Sequence, residues 1–382
     1  MARIIVLGVG MVGRAIALDL AKSHQVTATD IDEVALRELG DAGKVETLSL
    51  DVTEQDRLAS AIAGHDLVIS AVPGFLGFET LRTIVDGGRN VVDISFGPEN
   101  TLELDSLAKE RGVTALVDMG VAPGMDHVLL GHHDDSMKVE SFECLVGGLP
   151  KTRKWPFAYK APFSPVDVIE EYTRPARYIE NGHVVTRPAL SDPEFIEFDR
   201  VGTLEAFNTD GLRTLLTAMP HIPNMKEKTL RYPGHVRLIQ ALKESGFFKK
   251  EKIRVGDAEV SPMEFTSKVL IDEWALAPGE EELTVMRVTI EGEEAGSKKT
   301  HVYHLYDEYD EETEVSSMAR TTGYTCTAAA ELILGGLFTL KGVFPPELVG
   351  KQRPCFDHML AYLAERGVVY TRDGQQIGTG PR

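Results

Sequence analysis

The chain has 382 residues, 43% hydrophobic and 26% charged, enough for two domains with separate cores and ordinary for a globular protein. A formal net charge of −19 argues against nucleic-acid binding, which needs a basic surface, and reads first as a solvated acidic surface, with attraction of a cationic substrate as the second reading. Cys144, Cys326 and Cys355 have no CxxC spacing, so reduced structural thiols are expected rather than a disulfide or zinc framework. No apolar stretch approaches the roughly 20 residues of a membrane span. A cytoplasmic protein without membrane or nucleic-acid partners is therefore expected.

Arg3 to Leu7 is a short apolar run, followed by Gly8-Val9-Gly10-Met11-Val12-Gly13 and by the apolar positions Ala15, Ile16, Leu18 and Leu20. Strand, glycine turn and helix in that order predict a dinucleotide site: Gly8 permits the turn, Gly10 lets a pyrophosphate reach the backbone, and Gly13 lets helix and strand pack closely. Met11 and Val12 begin the helix whose amides face the phosphate. A second run, Gln25 to Thr29, ends in Asp30-Ile31. The Asp30 carboxylate suits the adenosine ribose hydroxyls and would repel a 2′-phosphate, so NAD is expected as cofactor. Asp32 is the alternative ribose ligand, although it is better placed as the N-cap of the next helix. The third strand, Val45 to Leu50, leads to Asp51 and Val52, expected against the adenine, and a helix over about 54–63 is predicted from a Thr53 cap. The fourth, Asp66 to Ser70, leads to Ala71, Val72 and Pro73, small enough to lie under the ribose and nicotinamide half. The fifth ends in Asp93, also counted as a cofactor residue, and the sixth, Thr114 to Val117, ends in Asp118. Functional residues are expected beyond these carboxyl ends; for Asp118 a turn-stabilising role is the equal alternative.

Beyond about residue 137 the pattern changes. Alternation at 141–146, 283–290 and 300–306, the last two joined by a polar loop over Glu291 to Lys299, predicts an antiparallel sheet. Helices are expected at about 165–172, 211–219 and 236–245. Asp307 to Glu314 reads as a solvated acidic loop. Thr325 to Leu334 fits a closely packed helix, and 356–366 a final amphipathic one. The fold class predicted is α/β: a Rossmann dinucleotide-binding domain (1–125 and 320–382) with an α+β second domain on a mainly antiparallel sheet (126–319). His132-His133 lacks metal-ligand spacing and reads as a helix end, so no metal is expected.

The segments GVGMVG, LVDMGVAPGM (116–125), FDRVGTLEAFNTDG (198–211), RYPGH (231–235) and MARTTGYT (318–325) together resemble the saccharopine dehydrogenase-like family, and within it most nearly the NAD-dependent lysine 6-dehydrogenases. The resemblance runs in one order through nearly the whole chain. It departs from the lysine enzymes at Asn208-Thr209-Asp210-Gly211 and in most of 159–164. It implies that the last segment returns to the nucleotide domain, that the second domain closes over the cofactor, and that the protein forms a homodimer or higher homo-oligomer.

The reaction so implied is NAD-dependent oxidative deamination of an amino-acid amine, with L-lysine at its ε-carbon as substrate. A saccharopine-type or carboxyspermidine-type reductase joining aldehyde and amine is the alternative within the fold, and a non-catalytic NAD-binding sensor the alternative outside enzymology. An ammonium of pKa about 10.4 must lose its proton before hydride leaves, which asks for a base or a desolvating pocket. Asp118 is the first candidate, and His235, which titrates near neutrality, the second, against a structural role. Arg200 and Arg231 are candidates for the substrate carboxylate, against simple salt bridges. Tyr159, Phe163, Phe207, Asn208 and Thr209 are candidates for the pocket wall, against core positions for the aromatics.

Overall fold

The structure, a computed structural model, describes residues 1–41, 43–277 and 279–379. Strands β1 (Arg3–Leu7), β2 (Gln25–Asp30), β3 (Glu46–Ser49), β4 (Leu67–Ser70), β5 (Asn90–Asp93) and β6 (Thr114–Leu116) form one parallel sheet in the order β6-β5-β4-β1-β2-β3. Helices such as Met11–Leu20 and Gly74–Asp86 cover it. A strand covered on both faces needs no polar side, which is why Ile4, Ile5, Val6 and Leu7 run apolar without alternation and are all fully buried. Strand order reverses between β1 and β4, and such a switch point opens a crevice at the strands' carboxyl ends.

Local chemistry shifts several predicted boundaries. The third helix spans Gln55–Ile62 with no side-chain cap; Thr53 instead donates its amide and hydroxyl to Asp51. Asp32 accepts from the amides of Val34 and Ala35 and so caps the helix Glu33–Asp41.

The second sheet is built from β7 (Lys138–Pro150), β8 (Ala176–Glu180), β9 (His183–Arg187), β10 (Glu194–Phe198), β11 (Gly202–Asn208) and β12 (Asn224–Arg231); a separate ribbon, β13 (Ile253–Val255) and β14 (Ala258–Val260), precedes β15 (Glu282–Glu294) and β16 (Ser297–Glu308). Its order is β10-β11-β12-β7-β15-β16, with the β8–β9 hairpin attached to β12. Antiparallel pairing dominates as predicted, but β7 and β12 run parallel, Ser141 opposite Asn224, so the sheet is mixed. Between β15 and β16 the predicted loop is mostly strand. Only Ala295 (φ 50°) and Gly296 (φ 78°) turn the chain, a two-residue hairpin with both residues left-handed.

The C-terminal part divides between the sheets. Strand β17 (Gly342–Phe344) adds to the parallel sheet beside β6, whereas β18 (Tyr370–Arg372) pairs with β16 and β19 (Gln375–Gln376) with β18. The assignment of all of 320–382 to the nucleotide domain is corrected accordingly, since the edge of β16 captures Tyr370–Arg372; residues 380–382 lie outside the described residues. The helix Ser317–Leu334 is longer than predicted, because Ser316 caps it by accepting from the Ala319 amide. It lies against the helix Met11–Leu20, with Gly323 leaving room for Ile16.

One buried carboxylate fastens this contact. Asp19, 3% exposed, accepts from Thr327 Oγ1 (2.8 Å), Tyr362 Oη (2.8 Å) and Arg366 Nε (2.8 Å). Burial alone would raise its pKa, but the Arg366 guanidinium and the two hydroxyls outweigh it and hold the carboxyl below 3.8. The stabilisation is therefore complete above the unfolded-state value and is lost as pH falls through the lower folded-state value. We expect Asp19→Asn to cost about 2–4 kcal/mol at pH 7, and the gap between variant and wild type to narrow below about pH 4. Urea unfolding of both proteins at pH 7 and pH 3 measures it.

Candidate functional site

At the switch point a cleft of about 620 Å³ runs from the glycine turn to the face of β12. Gly8 has φ 93°, and a Cβ there would lie 2.5 Å from the Ala71 carbonyl oxygen. A Cβ on Gly13 would lie 2.0 Å from the Gly8 carbonyl oxygen, whereas one on Gly10 would meet nothing within 4 Å. Gly8 and Gly13 thus serve the chain's own packing, and Gly10 keeps a free approach to the helix N-terminus. That is the cradle a dinucleotide pyrophosphate requires. Met11, Val12, Ile31, Asp51, Val52, Ala71, Val72 and Pro73 also line the cleft. Asp30 lines it too, with Oδ2 accepting from the Val9 amide at 2.7 Å, which draws the end of β2 onto the glycine turn.

Asp93 does not belong to this set. It is fully buried at the end of β5, outside the cleft lining, and accepts from the Ser95 amide and hydroxyl. Burial, aided by the nearby Asp118, pushes its carboxyl up to about 7 against the hydroxyls that favour its charged form. It braces the loop after β5 rather than meeting a ligand.

Of the residues singled out for substrate chemistry, the cleft brings together Asp118, Phe163, Thr209 and Arg231. Asp118 has φ 56°, a backbone region that aspartate tolerates better than most residues. Its Oδ1 accepts from Arg213 Nη2 at 2.9 Å, while Oδ2 is buried without a partner among the described residues. Arg231 is committed: it donates to the Tyr172 and Tyr159 hydroxyls, the Leu230 carbonyl and Glu171 Oε2, the last at 2.7 Å.

The others lie elsewhere, each for a physical reason. His235 is enclosed by aromatic rings, with Nδ1 bonded to the Phe157 carbonyl and Nε2 to the Tyr172 hydroxyl. Burial, and then the neighbouring Arg231, lowers its pKa to about 3, so it is a neutral structural imidazole. Tyr159 and Phe207 pack in the same aromatic core. Asn208 turns its amide to Ser191 and Asp192, and Arg200 is exposed at the β10–β11 turn, over the Tyr306 ring. The acidic run is also not all solvated: Asp307 is buried and accepts two bonds from Arg320.

The helix Pro165–Thr173 is found where it was expected, but sequence reasoning missed its place in the site: it lays Asp167, Glu170 and Glu171 along the cleft, with Arg174 just beyond. Their spacing of three, four and seven residues was a readable one-face signal. Arg174 Nη1 is buried without a partner among the described residues, and its guanidinium stands 5.0 Å from the Phe96 ring centroid. Glu227, on β12, also lines the cleft, and nothing in the alternation of its strand marks it out. Among the described residues the substrate half therefore holds six acidic side chains, Asp118, Asp167, Glu170, Glu171, Asp210 and Glu227, against Arg174 and Arg231.

A family model for the saccharopine dehydrogenase NADP binding domain matches residues 4–116, and one for the saccharopine dehydrogenase C-terminal domain matches residues 120–368. Among curated relatives, the mitochondrial alpha-aminoadipic semialdehyde synthase of Bos taurus is 26% identical over 281 residues, covering 68% of this chain and 30% of the relative. The NADP(+), L-glutamate-forming saccharopine dehydrogenase of Pyricularia oryzae is 29% identical over 269 residues, covering 65% of this chain and 58% of the relative. The chain thus spans less than two thirds of either. The apo saccharopine dehydrogenase (L-Glu forming) of Saccharomyces cerevisiae superposes with a TM-score of 0.79 at 20% identity, covering 98% of this chain and 99% of that one, which shows a shared fold.

The two glycines give opposite expectations. Gly13→Ala forces backbone apart and should lower stability by about 3 kcal/mol. Gly10→Ala should cost no more than about 1 kcal/mol, yet reduce dinucleotide affinity more than tenfold by filling the approach that the pyrophosphate needs. Thermal melts together with fluorescence titration of NADH and NADPH separate the two effects.

Proposed function

The chain belongs to the saccharopine dehydrogenase family, and on that footing we propose that it is a nicotinamide-dinucleotide oxidoreductase that acts on a C–N bond of an amino acid, with a secondary amine of the saccharopine type as substrate. The observation that carries this reading is a single cleft holding both the glycine cradle and, at the carboxyl end of β6, the unpartnered Asp118 Oδ2. When bound, the dinucleotide supplies the hydride acceptor, so that the secondary amine, NAD(P)+ and water yield an aldehyde, a primary amine, NAD(P)H and a proton.

The chain's own residues then have three tasks. Asp118 Oδ2 accepts a hydrogen bond from the substrate amine or from the water that attacks the oxidised carbon, and takes up its proton; Arg213 on Oδ1 fixes the carboxylate's orientation. Arg174 Nη1 receives a substrate carboxylate, a planar fork being suited to that group. Phe163, Phe96 and Met318 exclude water around the reacting carbon. On the cofactor side we propose NAD, because Asp30 stands at the end of β2 with Asp32 and Glu33 beside it and would repel a 2′-phosphate.

A second reading, oxidation of the ε-amine of lysine, is favoured by the charge of the substrate half. Saccharopine, with three carboxylates and two protonated amines, brings net negative charge to a wall where Arg231 is already paired with Glu171, whereas lysine, with one carboxylate and two ammonium groups, brings net positive charge.

NADH or NADPH formation with saccharopine, L-lysine, L-ornithine and no amine tests both readings. Turnover with saccharopine supports the first, lysine-dependent turnover with stoichiometric ammonia supports the second, and no turnover with any amine removes both. Asp118→Asn should lower kcat/KM by at least about 100-fold while leaving the dinucleotide Kd unchanged. Asp30→Arg should weaken NAD about tenfold, the loss of one to two hydrogen bonds, and improve NADP; unchanged NAD affinity would remove Asp30 from the ribose role.

A further inference from the structure

We propose that Asp126, His127 and Glu227 form a binding site for one divalent transition-metal ion, with Glu347 accepting the outer N–H of the imidazole. The four side chains come from three separate parts of the fold. Asp126 and His127 lie in the first turn of the helix Met125–Asp134, Glu227 on β12, and Glu347 in the helix Pro346–Gly350. Asp126, His127 and Glu347 are fully buried and Glu227 is 5% exposed.

The cluster gathers polar atoms that have no hydrogen-bond partner among the described residues. Asp126 Oδ2, both nitrogens of His127, Glu227 Oε2 and both carboxylate oxygens of Glu347 are buried and unpartnered. Each such atom costs about 1–3 kcal/mol, and so many in one cluster call for a missing partner. Asp126 Oδ1 is used, accepting from the Gly124 amide at 2.9 Å, which leaves Oδ2 3.5 Å from His127 Nε2. On the other side of the ring, Nδ1 is 3.4 Å from Glu347 Oε2. The thiol of Cys144 lies against the Asp126 carboxylate. Gly211 makes the room for Glu227: a Cβ there would lie 1.8 Å from Oε1.

A cation resolves this arrangement. One ligand atom from each of Asp126, His127 and Glu227 lies within 4.8 Å of the other two. A metal at about 2.1 Å from each ligand holds tetrahedral donors about 3.4 Å apart, so the Asp126–His127 pair, at 3.5 Å, already has the spacing, and Glu227, within 4.8 Å, needs only a small movement to complete it. Neutral His127 then offers Nε2 to the metal and donates Nδ1–H to Glu347, the carboxylate–histidine–metal arrangement that orients a ligating imidazole. Two carboxylates and one imidazole select Zn2+, Mn2+ or Fe2+ over Mg2+ or Ca2+, which prefer all-oxygen sites. Three carboxylates around one histidine also leave the cluster short of positive charge, because the nearby Arg213 and Arg231 are already paired with Asp118 and Glu171. Glu227 borders the cleft, so the ion has a route in and a ligand position left on that side. The site stands whether or not the redox reading does.

The test uses the full chain, stripped with EDTA and dialysed, then equilibrated with Zn2+ or Mn2+ at neutral pH and measured by elemental analysis. Expected is one ion per chain, with affinity reduced at least about 100-fold in Glu227→Gln and about 10–100-fold in Glu347→Gln, and unchanged in Glu38→Gln, on the exposed face of the helix Glu33–Asp41. Because a buried histidine variant can fail to fold, the direct readout is Co2+ in the wild type, whose visible bands should shift from those of the aqueous ion. No stoichiometric uptake, equal uptake by Glu227→Gln, or unshifted Co2+ bands would each overturn the site and leave the cluster as an imidazolium held between carboxylates.

Discussion

The helix Ser317–Leu334 is the piece on which the geometry of the cleft depends. At its start it is tied to the second sheet: the Met318 amide donates to Glu282 Oε1, and Arg320 pairs with the buried Asp307. Further along, Gly323 lets it lie against the helix Met11–Leu20, and Thr327 reaches Asp19. One rigid rod thus sits on the helix that follows the glycine turn while being anchored in the other domain. It also brings Met318 and Thr322 to the cleft wall. The two halves of the site are held in register by covalent continuity and small-residue packing, because a bulkier side chain at the crossing would push the domains apart.

Within that frame, charge is sorted by what each buried group is already doing. Arg213, Arg231 and Arg320 are buried but paired, since an isolated buried guanidinium would be costly. Arg174, paired loosely with Glu170, differs in lining the cleft with an Nη1 that has no hydrogen-bond partner among the described residues, and Asp118 lines it with such an Oδ2. Their unsatisfied atoms make these two residues the natural points for a ligand. His235 shows the opposite case. Its nitrogens are fully used by the Phe157 carbonyl and the Tyr172 hydroxyl, so the residue type most often chosen for proton transfer acts here as a spacer between β12 and the aromatic core.

The nucleotide half was legible from residues 3–30 because its signal is local: the turn, the helix start and the end of β2 are set by backbone sterics within one contiguous stretch. The hairpin of β15 and β16 was legible for the same reason, by side-chain alternation. The helix Pro165–Thr173 could have been read as a site element from the spacing of Asp167, Glu170, Glu171 and Arg174, which needs only helical geometry.

The sequence by itself determined the class of fold, the glycine cradle and the acid at the end of β2, since each rests on interactions between residues close in the chain. Only the tertiary structure decided that Asp93 and His235 lie outside the cleft, that Arg231 is occupied, that Tyr370–Arg372 belongs to the second sheet, and that Asp126, His127, Glu227 and Glu347 meet. Those outcomes depend on which distant side chains take up each donor and acceptor on burial, and residues as far apart in the chain as Glu171 and Arg231, or Asp126 and Glu227, carry no local pattern that announces their meeting.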